Sequence, residues 1–124
     1  MIYNNDKEFE VVFYRARSNG YCPVLEYLNG LPINQRAKIV KYIDFLKINK
    51  GYLDEPYSRH IVGKIRELRI DFDRHRHRIF YFAFVDKKLV LLHAFLKRTK
   101  KTPRKEINIA IKRYDEVLSS KKNI

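Results

Sequence analysis

The sequence predicts a mixed α+β fold in which helices pack against a mainly antiparallel sheet. Two observations indicate this class: three segments carry helix signals, and four others are rich in the aromatic and β-branched residues that favour strands. The predicted order along the chain is β-α-α-β-β-β-α. Because 124 residues is the size of one ordinary domain, we expect a single domain over residues 1–124.

The first half of the chain predicts one strand and two helices. Residues 9–17 are dominated by β-branched and aromatic side chains, and turn-forming residues follow them. Pro23 suits the first turn of a short helix through Leu28, and Pro32 opens a longer helix that ends near Gly51. The apolar positions that recur at helical spacing in the longer helix are Ile33, Ala37, Val40, Ile43, Phe45 and Leu46.

The second half predicts three strands and a closing helix. Strand-like sequences occupy residues 64–70, 76–85 and 88–97, and the two residues between the last pair are few enough for an antiparallel hairpin. Thr102, followed by Pro103, has the chemistry of a helix start with a capping hydroxyl. The apolar stripe of this helix comprises Ile107, Ala110, Ile111, Tyr114, Val117 and Leu118.

The strand at residues 76–85 should be central in the sheet. Side chains alternate across a sheet, so Arg76 and Arg78 lead on one face into phenylalanines, while His75 and His77 lead on the other into further apolar residues. Both faces then become apolar, as in a strand that is covered on each side. We expect the basic beginning of this strand to lie outside the core.

Positive charge is concentrated in the second half of the chain. The formal net charge is +13, and residues 63–124 hold 18 of the 27 lysines and arginines but only 7 of the 14 acids. No acid lies between Asp86 and Glu106, and four of the five residues 97–101 are cationic. Such a one-sided field attracts a polyanion, so RNA, DNA or an acidic protein segment is the expected partner.

Several sequence features predict a cytoplasmic protein without a cofactor. No stretch reaches the roughly 18 uninterrupted apolar residues of a membrane span, and the first residues lack a secretion signal. Cys22 is the single cysteine, which fits a reducing compartment. The sequence shows neither a glycine-rich phosphate loop nor clustered carboxylates, so we expect no nucleotide cofactor and no two-metal centre.

The cationic strand ends carry the residue types that metal-free RNA cleavage requires. A group must take the proton of the 2′-hydroxyl, cations must stabilise charge on phosphorus, and an acid must protonate the departing 5′-oxygen. Arginine suits the second task, because its planar fork pairs with phosphate oxygens and keeps its charge. We predict Arg78, Lys97 and Arg98 as catalytic residues. The predicted nucleic-acid-binding residues are Arg66, Arg69, Arg76, Lys100, Lys101 and Arg104.

Some of these residues have simpler structural interpretations. Arg66 and Arg69 point to opposite faces of one strand, so at most one of them shares a given site, and Glu67 beside them suggests an ion pair. His93 alternates with apolar residues and is more simply a packed, hydrogen-bonded strand residue. The spacing of His75 and His77 would suit a metal ion, but with little acidic support nearby we predict no metal site.

Four stretches of the sequence resemble a known toxin family. They are Glu55–Tyr57 (EPY), Glu67–Arg69 (ELR), Arg78–Phe82 (RIFYF) and Val90–Arg113 (VLLHAFLKRTKKTPRKEINIAIKR). Together they closely resemble the HigB-type, phage-related branch of the RelE/ParE superfamily. The resemblance implies the RelE-like fold, in agreement with the predicted element order.

The resemblance also implies a function. HigB-type proteins are toxins of type II toxin–antitoxin pairs; they enter the ribosomal A site and cut the translated mRNA without a metal. A HigA-like helix-turn-helix antitoxin neutralises them. Matching motif to motif, the two arginines that contact the scissile phosphate fall on Arg78 and Arg98. Isolated RNA should be cut poorly, because the ribosome holds the strand in the reactive geometry.

The proton-transfer groups do not carry over from the resemblance. The paired lysines of well-defined relatives fall on Ile65 and Glu67, and a tyrosine soon after the strand-end cations has no counterpart here. Lys97 is our first candidate for proton transfer, and further candidates are His75, His77 and Tyr57. Two other functions stay open: a ParE-like, non-catalytic inhibitor of DNA gyrase, and a catalytically inert basic nucleic-acid-binding module.

Overall fold

The computed structural model describes residues 8–120, which form a five-stranded sheet covered by three helices. The elements are β1 (Glu10–Phe13), α1 (Pro23–Asn29), α2 (Ile33–Ile48), β2 (Ser58–Val62), β3 (Ile65–Phe72), β4 (His75–Phe84), β5 (Lys88–Leu96) and α3 (Arg104–Ser119). The α+β class predicted from the sequence is confirmed. Among residues 8–120, no helix has both the length and the apolar composition needed to cross a membrane.

The sheet has the strand order β1-β5-β4-β3-β2, with β4 in the centre. Strands β2 to β5 pair antiparallel with their neighbours, and β1 pairs parallel to β5, so the sheet is mainly antiparallel, as predicted. The turn between β4 and β5 is tight because Asp86 and Lys87 both adopt left-handed conformations, with φ of 61° and 57°. The predicted antiparallel hairpin is therefore confirmed.

The predicted order β-α-α-β-β-β-α is wrong in one respect, because it lacks β2. This strand has the sequence SRHIV, whose polar and apolar residues do not alternate, and pairing with β3 is what makes it a strand. The first strand is also shorter than the predicted residues 9–17. Its pairing with β5 ends at Leu91, just before a bulge interrupts the β4–β5 register.

Each face of the sheet has its own hydrophobic core. Helices α1 and α2 cover one face, where Ile79 and Tyr81 of β4 are fully buried. Helix α3 covers the other, where Phe80 and Phe82 are buried. The predicted alternation along β4 is confirmed. The expectation that its basic beginning lies outside the core is wrong, because His77 and Arg78 are each only 1% exposed.

Helix α2 buries only two of the six predicted apolar positions, Ile43 and Leu46. Its buried residues are Gln35, Ile39, Ile43 and Leu46, whereas Ile33, Val40 and Phe45 are 71%, 44% and 41% exposed. The helix is apolar on more than one side, so the apolar pattern alone does not determine which side packs on the sheet. The packing leaves aromatic and aliphatic side chains on the outer surface of the protein.

The start of α3 also differs from the prediction. The helix begins at Arg104, with Pro103 in the capping position and no side-chain cap. The hydroxyl of Thr102 instead donates a hydrogen bond to Oε2 of Glu67 on β3, at 3.2 Å. Thr102 therefore ties the segment between β5 and α3 to the sheet, where it lies beside the charged residues described next.

Candidate active site

Charged side chains converge at the end of the sheet on the face that α3 covers. The β3–β4 register pairs Arg69 with Arg78 and Asp71 with Arg76, and β5 continues into Lys97, whose amide donates to the carbonyl of Arg76 at 2.8 Å. We call this group the cationic cluster. Its members are Glu67, Arg69, Asp71, Arg76, Arg78 and Lys97.

Arg78 is the most deeply buried cation of the cluster. Its Nη1 donates to Oδ1 of Asp71 at 2.8 Å and to the carbonyl of His77 at 3.0 Å. Its Nε is buried and has no hydrogen-bond partner among residues 8–120. An arginine that is 1% exposed and incompletely bonded differs from an ordinary surface arginine, because the unmade bond leaves a desolvated donor available to a ligand.

Glu67 is also buried and only half satisfied. Oε2 accepts the hydrogen bond from Thr102, but Oε1 has no hydrogen-bond partner in the described part of the chain. The nearest ion-pair partner of Oε1 is Nε of Arg69 at 3.7 Å, which is too long for a hydrogen bond. The ion pair expected from the sequence is thus present but loose, and it leaves a carboxylate oxygen and a guanidinium nitrogen unsatisfied.

Lys97 extends from the end of β5 into the cluster and is 7% exposed. Burial lowers the pKa of its ammonium below the ordinary value, and the charges of Arg78, Arg69 and Arg76 lower it further, while Glu67 opposes them. A lysine in this setting releases its proton more readily than a lysine in water. The lowered pKa makes Lys97 a candidate for proton transfer.

The other predicted binding residues occupy different positions. Arg76 is partly exposed in the cluster, and the exposed residues Lys100, Lys101 and Arg104 follow β5 towards α3. Arg66 lies on the opposite face, where its Nε donates to Oγ of Ser58 at 3.1 Å. The prediction that Arg66 and Arg69 face opposite sides of the sheet is confirmed, and Arg66 is outside the cluster.

Arg98 is exposed and lies near Tyr27 of α1. Burial raises the pKa of the Tyr27 hydroxyl to about 12, and the positive charge of Arg98 opposes this rise. The charge of Arg98 therefore acts on a residue of α1, whereas the charge of Arg78 acts on Lys97 on the α3 side of the sheet. That Arg78 and Arg98 share one phosphate stays a prediction, which the variants described below test.

His77 stands at the centre of a second polar group, which we call the His77 network. Its Nδ1 accepts a hydrogen bond from the Tyr27 hydroxyl at 2.7 Å, and its Nε2 donates to Oε1 of Gln35 at 2.7 Å. Burial, followed by the charges of His75 and Arg78, lowers its pKa. Both ring nitrogens are thus engaged within the protein, and this network joins α1, α2 and β4.

The two remaining proton-transfer candidates, His75 and Tyr57, are exposed. The ring of His75 lies 6.3 Å from that of His77 in a stacked arrangement. The carbonyl of Tyr57 accepts a hydrogen bond from the amide of Arg69 at 2.9 Å, so Tyr57 is next to the cationic cluster. Within residues 8–120, no group of three histidine, cysteine or acidic side chains is arranged to hold a metal ion.

His93 ties β5 to α3, as a packed strand residue should. Its Nε2 is 2.6 Å from Oε1 of Glu106, and its Nδ1 is 3.2 Å from Nη1 of Arg113. Burial lowers the pKa of His93, and Arg113 adds to that effect, which the neighbouring Glu106 only partly offsets. The interpretation of His93 as a packed, hydrogen-bonded residue is confirmed.

Sequence reasoning underestimated Glu67 and missed Asp71 and Thr102 as members of the site. Alternation along β3 puts residues 67, 69 and 71 on one face, and this signal is visible in the sequence. Their position opposite Arg76 and Arg78 depends on the β3–β4 register, and the contact with Thr102 depends on the path between β5 and α3. Neither is readable from spacing along the chain.

A family model described as Phage derived protein Gp49-like (DUF891) matches residues 26–115. The chain belongs to this Gp49-like family. The family is RelE-like and toxin-like, which suggests an antitoxin as the partner. The matched residues include α2, β2 to β5 and the entire cationic cluster. A comparison with curated proteins finds no match.

Proposed function

We propose that this Gp49-like protein is a HigB-type toxin of a type II toxin–antitoxin system, acting in the cytoplasm as a ribosome-dependent mRNA interferase. A HigA-like helix-turn-helix protein is the antitoxin in this proposal. One observation supports it above the others: Oε1 of Glu67, Nε of Arg69 and Nε of Arg78 are buried in one cluster without hydrogen-bond partners among residues 8–120.

These three unpartnered atoms have the chemistry of an RNA-binding site. An unsatisfied buried polar atom costs about 1–3 kcal/mol, so three of them in one cluster suggest a ligand that completes their bonds. Two are donors, which suits phosphate oxygens, and the third accepts, which suits a hydroxyl. An RNA phosphodiester with its neighbouring 2′-hydroxyl offers both groups, and DNA lacks the hydroxyl.

The segment after β5 has to move for RNA to reach this cluster. Glu67, Arg78 and Lys97 are each less than a tenth exposed, and the 3.2 Å hydrogen bond from Thr102 holds residues 98–103 against Glu67. These residues form neither helix nor strand, so few backbone bonds resist their displacement. The cations of this segment would then contact the RNA backbone on either side of the bound phosphate.

The proposed reaction is attack of the ribose 2′-oxygen on the adjacent phosphorus. The Glu67 carboxylate takes the 2′-hydroxyl proton while the bond from the 2′-oxygen to phosphorus forms. Arg78 and Arg69 hold the non-bridging oxygens, on which negative charge accumulates. The bond from phosphorus to the 5′-oxygen breaks, and the Lys97 ammonium protonates that oxygen. The products are a 2′,3′-cyclic phosphate and a 5′-hydroxyl end, and no metal takes part.

The test is cleavage of a defined mRNA in a translation extract. Wild-type protein should cut at codon-related positions and leave 2′,3′-cyclic phosphate ends, while the same mRNA without ribosomes is cut poorly. Arg78→Ala should lower the cleavage rate about a hundredfold or more, because it removes a donor to the developing charge. Arg17→Ala removes an equal charge from an exposed position and is the matched control.

A parallel Arg98→Ala variant tests whether two arginines share the scissile phosphate. A loss as large as that of Arg78→Ala supports a shared phosphate, whereas a small loss with a weaker salt dependence assigns Arg98 to the neighbouring backbone. Inhibition of DNA supercoiling with intact mRNA would replace the proposal with gyrase inhibition. Salt-sensitive RNA binding with neither activity would leave an inert binding module.

A further inference from the structure

A groove lies between α2 and the segment that leads into β2. It has a volume of about 340 Å³ and is next to the loop that leads into β2. We call it the aromatic groove, and its lining residues are Tyr42, Phe45, Asn49, Leu53 and Tyr57. Tyr57 is 49% exposed and Phe45 41% exposed, so large apolar surfaces face solvent here.

The three rings of the groove are inclined to one another. The ring centroid of Tyr42 is 6.0 Å from that of Tyr57 and 5.9 Å from that of Phe45, with interplanar angles of 61° and 48°. Because the rings are not stacked face to face, Tyr57 and Phe45 keep ring surface available to a flat ligand. Nucleobases are the flat groups that proteins bind in this way.

Lysines accompany the rings. Nζ of Lys38 is 5.7 Å from the ring centroid of Tyr42, and Nζ of Lys41 is 5.8 Å from that of Phe45. Both distances are within the range of a cation–π contact. None of the five lining residues is acidic. The groove therefore combines aromatic faces with positive charge, which matches a ligand that has both bases and phosphates.

The groove is continuous with the cationic cluster. A second depression shares Tyr42 and Tyr57 with it and extends to Arg69 and Asp71. Lys38 lies along this path and donates a hydrogen bond to the carbonyl of Asp71. Arg69 lies where the two regions meet, and its Nε has no hydrogen-bond partner among the described residues.

We propose that the aromatic groove binds bases of the single-stranded RNA that flanks the cleaved phosphodiester. This inference rests on the proposed function, because it describes the path of the same RNA away from the cationic cluster. Tyr57 and Phe45 stack on bases, and Lys38 and Lys41 contact the intervening phosphates. A helix of a protein partner fits less well, since the cores of protein interfaces are depleted in lysine.

The experiment uses a short single-stranded 2′-deoxy oligonucleotide that contains 2-aminopurine, a fluorescent base whose emission falls when it stacks. The probe lacks the 2′-hydroxyl and so cannot be cut. Tyr57→Leu keeps an apolar side chain but removes the ring, and it should weaken binding about tenfold and restore the fluorescence. Tyr21→Leu is the matched control, because Tyr21 is also 49% exposed but lies outside the groove. It should bind as the wild type does.

The outcomes separate this inference from the proposed function. If the wild type does not cleave mRNA but Tyr57→Leu, unlike Tyr21→Leu, weakens oligonucleotide binding, the interferase function is rejected and the proposed RNA path is kept. Normal cleavage with equal oligonucleotide binding by the wild type and Tyr57→Leu would reject the path alone. The proposed RNA path would also be overturned if the wild type did not bind the oligonucleotide. It would equally be overturned if Tyr57→Leu bound the oligonucleotide normally but no longer bound a protein partner. Thermal unfolding of each variant shows that the comparison is between folded proteins.

Discussion

His77 and Arg78 are consecutive residues of β4 with the same 1% exposure, but they lie on opposite faces of the sheet and in opposite situations. On the α1–α2 side, both ring nitrogens of His77 have partners at 2.7 Å. On the α3 side, Nε of Arg78 has no partner among residues 8–120. Burial is equal, so burial alone does not separate the two residues; hydrogen-bond completion does.

The same contrast extends to the neighbours of each residue. Tyr27 and Gln35 complete the His77 network, which joins two helices to the central strand and is suited to stabilising the fold. Glu67 and Arg69 are close to Arg78 but leave one atom each unbonded, although both are well placed for a stronger ion pair. On the α3 side, buried polar atoms thus lack hydrogen-bond partners among residues 8–120, as in an active site before its substrate binds.

The largest expected effect is the loss of mRNA cleavage in the Glu67→Gln variant, on the α3 side. The amide cannot accept the 2′-hydroxyl proton as a carboxylate does, so single-turnover cleavage on ribosomes should fall about a hundredfold or more. The free energy of unfolding should change by only about 1 kcal/mol, because relief of desolvation offsets the lost attraction to nearby cations.

A matched control for Glu67→Gln is Glu116→Gln on α3. Glu116 accepts a 2.5 Å hydrogen bond from Tyr14 and lies outside the cationic cluster. This variant should cleave as the wild type does, and urea denaturation measures its stability alongside. Wild-type cleavage by Glu67→Gln would remove Glu67 from the chemistry and reverse the contrast between the two faces.

The next largest effect should come from His77→Phe on the α1–α2 side. The substitution leaves the Tyr27 hydroxyl and Oε1 of Gln35 without their partner, so the free energy of unfolding should fall by about 2 kcal/mol in urea denaturation. His75→Phe, at the exposed neighbouring position, should cost less than about 0.5 kcal/mol. If folded His77→Phe loses cleavage while His75→Phe retains it, His77 takes part in the chemistry and the comparison fails.

The smallest effect should be a pH dependence of stability that originates in the His77 network. Burial lowers the pKa of His77 in the folded protein below its ordinary 6.5, so the unfolded chain binds the proton more tightly. The contribution of neutral His77 to the stability of the fold is fully present above pH 6.5, the ordinary pKa. This contribution is lost as the pH falls from that value through the lower pKa of the folded state. Urea midpoints measured from neutral to mildly acidic pH should therefore decrease, and less steeply in His77→Phe. An equal slope in both proteins would contradict this origin.

Local patterns in the sequence were sufficient for several elements of the fold. The alternation in β4, the antiparallel β4–β5 hairpin and most of the apolar stripe of α3 depend on neighbours in the chain and agree with the structure. The hairpin connection has three residues, Val85–Lys87, rather than the predicted two, and Leu118 of the stripe is 36% exposed. The pattern in α2 was right for Ile43 and Leu46 but wrong for the other four positions, because the helix has apolar residues on several sides. β2 was missed because its five residues have no alternation of their own, and Thr102 was taken for a cap because its sequence context fits one.

By itself, the sequence determined the α+β class, the central position of β4, the excess of positive charge and the residue types available for RNA chemistry. These properties depend on composition and on spacing within single elements. The tertiary structure alone decided that Glu67 and Lys97 join Arg78 and that the charge of Arg98 acts on Tyr27. It also decided that His77 is satisfied while Arg78 is not. Hydrogen-bond completion depends on which strands pair, in which register, and on what the connecting segments bring near them, and none of these is a local property of the chain.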